Sequence, residues 1–115
     1  MTIHAIMQSL SLKSFTGTVN GEKTISDSYV SDLLSDVMAN CREGSLWITL
    51  QTHMNIVAVA SMKKIPAIIL INGRKPDDEA LRKAEAEGVA LLGTTQPAFE
   101  VAGKLYSLLK RGVME

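Results

Sequence analysis

Residues 66–79, PAIILINGRKPDDE, decide the fold of this chain. Ala67–Ile71 is apolar at every position, which is typical of a central strand in a parallel sheet whose two faces are both covered. Asn72-Gly73-Arg74-Lys75 predicts a turn, and Pro76 suits the first position of a helix with three acidic residues in its first turn. The stretch therefore predicts a buried strand that passes through a tight turn into a surface helix.

The same alternation of strand and helix extends on both sides of this stretch. Ser45–Leu50 predicts a buried strand, and Thr52 is positioned to cap a following helix. The run Ile56–Ala60 is apolar on both sides, which leaves a strand open, and we prefer a helix because the next strand starts almost immediately at Pro66.

Gly88 favours a helix C-terminus, Val89–Leu92 predicts a further short strand, and Pro97 lies near the first position of a last helix. Successive strand–helix pairs joined by right-handed crossovers give a parallel sheet covered by helices. The second half of the chain thus predicts the α/β class.

The N-terminal part of the chain has weaker patterns. Apolar residues spaced by three and four predict a helix over Thr2–Leu12. Lys13–Ser26 predicts two short paired strands around the turn signal Asn20-Gly21. Ser31-Asp32 predicts the N-cap of a second helix, which Gly44 ends.

The composition is that of an ordinary globular protein. The chain has 115 residues, 46% hydrophobic and 21% charged, which predicts one domain over residues 1–115 with a real core. Twelve basic residues balance twelve acidic ones, so the net charge does not favour binding to nucleic acid or to an anionic membrane. Met1–Leu12 lacks the features of a signal peptide, and no apolar run approaches the roughly 20 residues that span a bilayer. Together with the single free cysteine, these features predict a cytoplasmic protein that binds neither nucleic acid nor a membrane.

Motifs for catalysis or metal binding are weak. Gly17–Thr24 resembles a phosphate-binding loop, but it has three residues between its glycines where the motif has four, and a glutamate precedes its lysine. We therefore interpret it as a hairpin turn. Because His4 and His53 are far apart and Cys41 is the only cysteine, we predict no metal site and no cofactor. His53 or Asp36 would supply the acid–base chemistry if the chain were a small enzyme.

Polar segments follow each of the three predicted parallel strands, directly before a helix. Open α/β sheets bind ligands beyond this edge, and helix N-termini favour anions. A small polar or anionic ligand at this edge is therefore one hypothesis, and ordinary turn chemistry is the other. The candidate ligand-binding residues are Thr52, His53, Asn55, Asn72, Gly73, Arg74, Thr94 and Thr95.

The last predicted helix has more apolar surface than one sheet face needs. One stripe runs from Ala98 to Leu109, and a second is offset around the helix. We predict a homodimer in which a second copy of the chain covers this second stripe. The candidate interface residues are Phe99, Val101, Tyr106 and Leu108.

Six segments within Tyr29–Leu109 carry a family resemblance: DLLSDVMA (32–39), GSLWIT (44–49), QTHMNIVAVA (51–60), NGRKP (72–76), EAEG (85–88) and AFEVAGKLY (98–106). In these segments the chain resembles the stand-alone DRTGG-domain proteins. Relatives of that domain include the N-terminal domain of HPr kinase/phosphorylase and modules in CBS-domain pyrophosphatases and some phosphotransacetylases. The literal DRTGG string is absent, and Asn72-Gly73-Arg74 is its nearest counterpart. The resemblance implies an α/β three-layer sandwich with a mixed, mostly parallel sheet.

The resemblance also implies a regulatory role, because the domain is an accessory and often dimer-forming unit in that family. Our leading prediction is a non-catalytic regulatory, ligand-sensing or interaction domain that forms a homodimer and senses a small polar ligand such as an adenine nucleotide. The alternative is a docking subunit of a redox or signalling enzyme with no ligand of its own. The kinase domain of HPr kinase/phosphorylase, with its phosphate loop, has no counterpart in the sequence, so no kinase activity is implied.

Overall fold

The computed structural model describes residues 1–17 and 19–114, and for residues 111–114 it describes the backbone helix alone. Helices and strands alternate along most of the chain. In chain order the elements are α1 (Ile3–Leu10), β1 (Lys13–Ser14), β2 (Ser28–Val30), α2 (Leu34–Asn40), β3 (Leu46–Thr49), α3 (Asn55–Lys63), β4 (Ala67–Leu70), α4 (Asp78–Glu87), β5 (Ala90–Gly93) and α5 (Ala98–Met114).

A single mixed sheet organises the described chain, with strand order β1-β5-β4-β3-β2. Strands β2, β3, β4 and β5 run parallel to one another, and β1 pairs antiparallel with β5, with Lys13 opposite Gly93 and Ser14 opposite Leu92. Strand β4 is central, as its two apolar faces predict, and all four of its residues are buried. Because β3, β4 and β5 run in the same direction, their carboxyl ends meet at one edge of the sheet.

Helices cover both faces of the sheet, so the molecule has three layers. Side chains alternate between two apolar cores along β4: Ile69 packs with α1 and α5, and Ile68 packs with α2, α3 and α4. Helix α3 lies between α2 and α4, which explains why its apolar residues are spread around most of its circumference. The predicted α/β three-layer sandwich with a mixed, mostly parallel sheet is confirmed.

The predicted hairpin over Lys13–Ser26 is wrong. Strand β1 pairs with β5, and the following segment runs across the N-terminus of α1. There the carbonyls of Gly21 and Lys23 accept the free N–H groups of His4 and Ile3, at 3.0 and 2.9 Å. The segment thus satisfies a helix end, and the Asn20-Gly21 turn makes no strand pair. The segment Gly17–Thr24, which we interpret from the sequence as a hairpin turn, contains Thr18, and that residue lies outside the described residues.

Three predicted helix starts are displaced. Helix α2 begins after Leu33 and not after Ser31-Asp32, because the Asp32 carboxylate is engaged with the end of β3. Helix α3 begins after Met54, and the ring of His53 accepts the Asn55 N–H in the role expected of Thr52. Helix α4 begins at Asp78, two residues beyond the predicted first position at Pro76. None of the described helices has the length and apolar character needed to cross a membrane.

Candidate ligand site at the carboxyl ends of the strands

Two loops at the carboxyl ends of β4 and β5 are joined by backbone hydrogen bonds. Asn72 and Gly73 both adopt left-handed conformations, with φ of 56° and 70°, and Arg74 N–H closes a type I′ turn onto the Ile71 carbonyl at 3.1 Å. The amides of Asn72 and Gly73 donate to the carbonyls of Gln96 and Thr94 at 3.0 and 2.9 Å. The turn and the β5–α5 loop therefore form one fixed backbone unit.

A cavity of about 360 Å³ lies beside this unit and is called the strand-end cavity below. The two loops form one wall, and the end of α1 with β1 forms the other. Its lining residues are Leu10, Ser11, Lys13, Phe15, Gly73, Arg74, Lys75, Gly93, Thr94, Thr95 and Gln96.

The strand-end cavity is basic. Lys13, Arg74 and Lys75 line it, and none of its described lining residues is acidic. All three side chains are exposed, so they are free to adapt to a ligand. Thr94 and Thr95 add hydroxyl groups, and Lys104 donates to the Gln96 side chain at 3.0 Å, which orients that amide. The arrangement suits a small anion that also accepts hydrogen bonds.

An aromatic ring sits among these polar groups. Phe15 N–H donates to the Leu91 carbonyl at 2.8 Å, which extends the contact of β1 with β5. Its half-buried ring lies so close to Gly93 that a Cβ at that position would be 2.5 Å from Cε2. The Lys13 ammonium lies over the ring, 5.0 Å from its centre, at the distance of a cation–π contact.

The structure brings together only part of the predicted ligand-binding set. Gly73, Arg74, Thr94 and Thr95 line the strand-end cavity, and Asn72 shapes the turn beside it without lining it. The other three predicted residues, which follow β3, lie elsewhere. Those residues are Thr52, His53 and Asn55.

His53 lines a separate cavity of about 380 Å³ with an acidic wall from the start of α4. Asp77, Asp78 and Glu79 form that wall, and Arg82 completes it. The β4–α4 turn lies between the two cavities, and the Asp77 amide is bonded to the Thr52 carbonyl at 3.0 Å. The prediction that the residues after β3 join those after β4 and β5 in one ligand site is therefore wrong.

Lys13, Phe15 and Lys75 belong to the cavity but were missed as site residues. Lys75 directly follows Arg74, so its charge could have been noticed in the sequence. Lys13 and Phe15 reach the cavity only because β1 pairs with β5, about eighty residues away in the chain. No local sequence pattern predicts the pairing of β1 with β5.

Asp32 and Asp36 have structural partners. Asp32 accepts the Leu50 N–H at 2.7 Å and the Thr49 hydroxyl at 2.8 Å, which closes the end of β3. Asp36 accepts the Tyr29 hydroxyl at 2.7 Å and the Asn40 amide at 2.8 Å. The Tyr29 hydrogen bond is the main reason that the pKa of Asp36 lies below its usual value. A carboxyl group held in its charged form in this way is poorly matched to acid–base catalysis near neutral pH.

The predicted interface residues on α5 divide between surface and core. Phe99 and Tyr106 are 88% and 62% exposed. Val101 is fully buried and Leu108 is half-buried against the core, because both lie on the part of the helix that faces the sheet and α1. Val101 is therefore wrong as an interface residue. Val30 on the edge strand β2 is 49% exposed and lines a groove with Tyr106.

The fold and the cavity define a three-layer α/β domain with a basic cavity at the strand ends. Its fold is DRTGG-like: the chain is similar to the CBS and DRTGG domains of the regulatory region of Clostridium perfringens pyrophosphatase, a structure complexed with the activator diadenosine tetraphosphate. The TM-score is 0.69 at 17% identity, over 90% of this chain and 45% of that chain. The likeness concerns the fold, and this chain spans less than half of that structure. No family model and no curated protein matches the sequence.

Proposed function

We propose that this chain is a non-catalytic regulatory domain that senses an adenine nucleotide in the strand-end cavity. One observation carries the proposal: three basic side chains and no described acidic one surround a cavity whose backbone wall is already fixed. Small-molecule sites typically measure about 300–1,000 Å³, and this cavity falls at the lower end of that range. The cavity therefore has the size of a site for a small ligand.

The fixed backbone favours binding over chemistry. The bonds from Asn72 and Gly73 to the β5–α5 loop hold the backbone of the wall in place, so little backbone entropy is lost when a ligand enters. The described cavity lining offers cations, hydroxyls and an amide, but no carboxylate or imidazole to act as a general base. The regulatory region with the similar fold was crystallised with an adenine nucleotide activator, which supports a ligand of that class.

Calorimetric titration of the protein with ATP, ADP and AMP tests the proposal. The double variant Arg74→Ala/Lys75→Ala should weaken nucleotide binding about tenfold, since two exposed ion pairs together contribute about 1–2 kcal/mol. Arg42→Ala is the matched control, because Arg42 is an exposed residue that precedes β3, away from the carboxyl ends of the strands. The absence of binding at millimolar nucleotide, or an equal loss in R42A, would overturn the proposal.

We also propose that the chain is a homodimer. This proposal is independent of the strand-end cavity, because residues of one chain line that cavity. Phe99 and Tyr106 lie seven residues apart on α5 and are both exposed, with Val30 beside Tyr106. Light scattering should give a dimer mass for the wild type and a monomer mass for Phe99→Ser/Tyr106→Ser. Met62→Ser is the control, because Met62 is 70% exposed on α3, in the opposite helix layer.

A docking subunit of a signalling or redox enzyme is the second candidate function, and the same α5 surface favours it. In that case a different protein would cover Phe99 and Tyr106. A monomer mass at high protein concentration, combined with no nucleotide binding, would favour the docking subunit over the sensor. For both candidate functions we propose that the chain is in the cytoplasm, where the thiol of Cys41 would remain reduced.

A further inference from the structure

The strand-end cavity has two chemically different parts. Phe15, after β1, and Leu10, at the end of α1, supply apolar surface, and Arg74 and Lys75 supply positive charge from the β4–α4 turn. A phosphate alone would use only the basic part. The cavity as a whole matches a ligand with a flat apolar group at one end and an anionic group at the other.

The ring of Phe15 packs against the apolar core on the side of α2, α3 and α4. Its backbone is bonded to Leu91, and its ring edge rests where any side chain at position 93 would collide with it. The residue at 93 is glycine, so the ring lies against the end of β5 and contributes to the lining. The Lys13 ammonium covers this ring at 5.0 Å from its centre, at the end of a flexible four-carbon side chain.

We propose that Phe15 is the stacking platform for the base of a nucleotide, and that Lys13 moves from the ring to the phosphates when the base binds. The base and the ammonium compete for the same ring, so the base displaces the ammonium. The displaced cation then lies beside the bound anion, because Lys13 and Arg74 line the same cavity. This inference rests on the proposed function. Stacking of the base on Phe15 would make the site bind a nucleotide more tightly than inorganic polyphosphate.

The test compares ATP, tripolyphosphate and adenosine by calorimetry on the wild type and on Phe15→Leu. The wild type should bind ATP about tenfold more tightly than tripolyphosphate, since stacking on an aromatic side chain typically changes affinity by that order. Phe15→Leu keeps an apolar side chain and should bind the two ligands equally. Phe15→Trp should retain the preference. Lys13→Ala should weaken ATP binding several-fold, because the phosphates lose a cation, and should strengthen adenosine binding, because the ammonium no longer competes for the ring.

The outcomes separate this inference from the proposed function. If neither ATP nor tripolyphosphate binds, the proposed function fails. If both bind with equal affinity to the wild type, or if F15L keeps the preference for ATP, the anion site stands and the stacking platform is refuted. Magnetisation transfer between the adenine protons and the Phe15 ring protons tests the contact in the wild type, independently of how the variants fold. Its absence at saturating ATP would also refute the platform.

Discussion

Replacing Gly93 with alanine tests how closely the Phe15 ring is held against β5. A Cβ at position 93 would lie 2.5 Å from Cε2 and 2.8 Å from Cζ of Phe15. Carbon atoms in contact are normally about 3.5–4.0 Å apart, so the ring must retreat by about 1 Å. The ring can retreat by turning about its side-chain bonds, but it then leaves the apolar core on the side of α2, α3 and α4, against which Phe15 packs.

The expected cost of Gly93→Ala follows from this collision. Inserting a methyl group into a packed site typically costs about 1–3 kcal/mol, and the cost is at the lower end where the obstructing side chain can turn away. For a domain of this size, each kcal/mol lowers the melting temperature by about 4 °C, so Gly93→Ala should lower it by about 4–12 °C. Gly93 does not have a positive φ, so the alanine should cause no backbone strain.

A double-mutant cycle with Phe15→Ala isolates the contact. When the ring is absent, Gly93→Ala should cost nothing or stabilise by up to about 1 kcal/mol, because alanine restricts the unfolded chain more than glycine does. Urea unfolding is followed by the fluorescence of Trp47, the single and fully buried tryptophan. An equal cost of Gly93→Ala with and without the Phe15 ring would refute the reasoning.

The remaining predictions concern three side chains outside the cavity. Asp32→Ala should lower the free energy of unfolding by about 1 kcal/mol in urea titrations, because two hydrogen bonds at the end of β3 lose their acceptor, and Asp32→Asn should lose less. Tyr29 holds the pKa of Asp36 below 3.8, so the charged carboxylate stabilises the fold above that pH and the benefit is lost as the pH falls through the lowered pKa. Asp36→Asn should therefore destabilise the protein at pH 7 and progressively less in acid, and an undiminished effect in acid would contradict this. Burial raises the pKa of the Cys41 thiol, so a thiol reagent should react far more slowly with folded protein than in urea; equal rates would contradict the burial.

The parts of the fold that depend on local pattern could be predicted from the sequence. The all-apolar run Ala67–Ile71 placed β4 at the centre of the sheet, and Gly88 ended α4 in a left-handed conformation with φ of 71°. In both cases a few neighbouring residues determine the outcome: apolar side chains on both faces of a strand, and a residue that adopts positive φ without strain.

The parts that depend on distant pairing could not be predicted in the same way. A two-residue strand such as Lys13–Ser14 has too few side chains to show a period, and its partner β5 is far along the chain. For the same reason Phe15, which directly follows β1, could not be predicted as a residue of the candidate site. Asp32 shows a different limit: its residue type fits an N-cap, but its carboxylate bonds instead to the end of a neighbouring strand.

The zero net charge of the chain is compatible with an anion-binding cavity, because the charges are separated in space. Arg74 and Lys75 line the strand-end cavity, and Asp77–Glu79 line the neighbouring cavity beside His53. The two cavities flank one short turn, so their charges cancel in the total, but basic side chains line one cavity and acidic side chains much of the other. A small anion would contact the basic side alone, whereas a long polyanion would also meet the acidic side. The charge balance therefore argues against nucleic acid as the partner without arguing against a nucleotide.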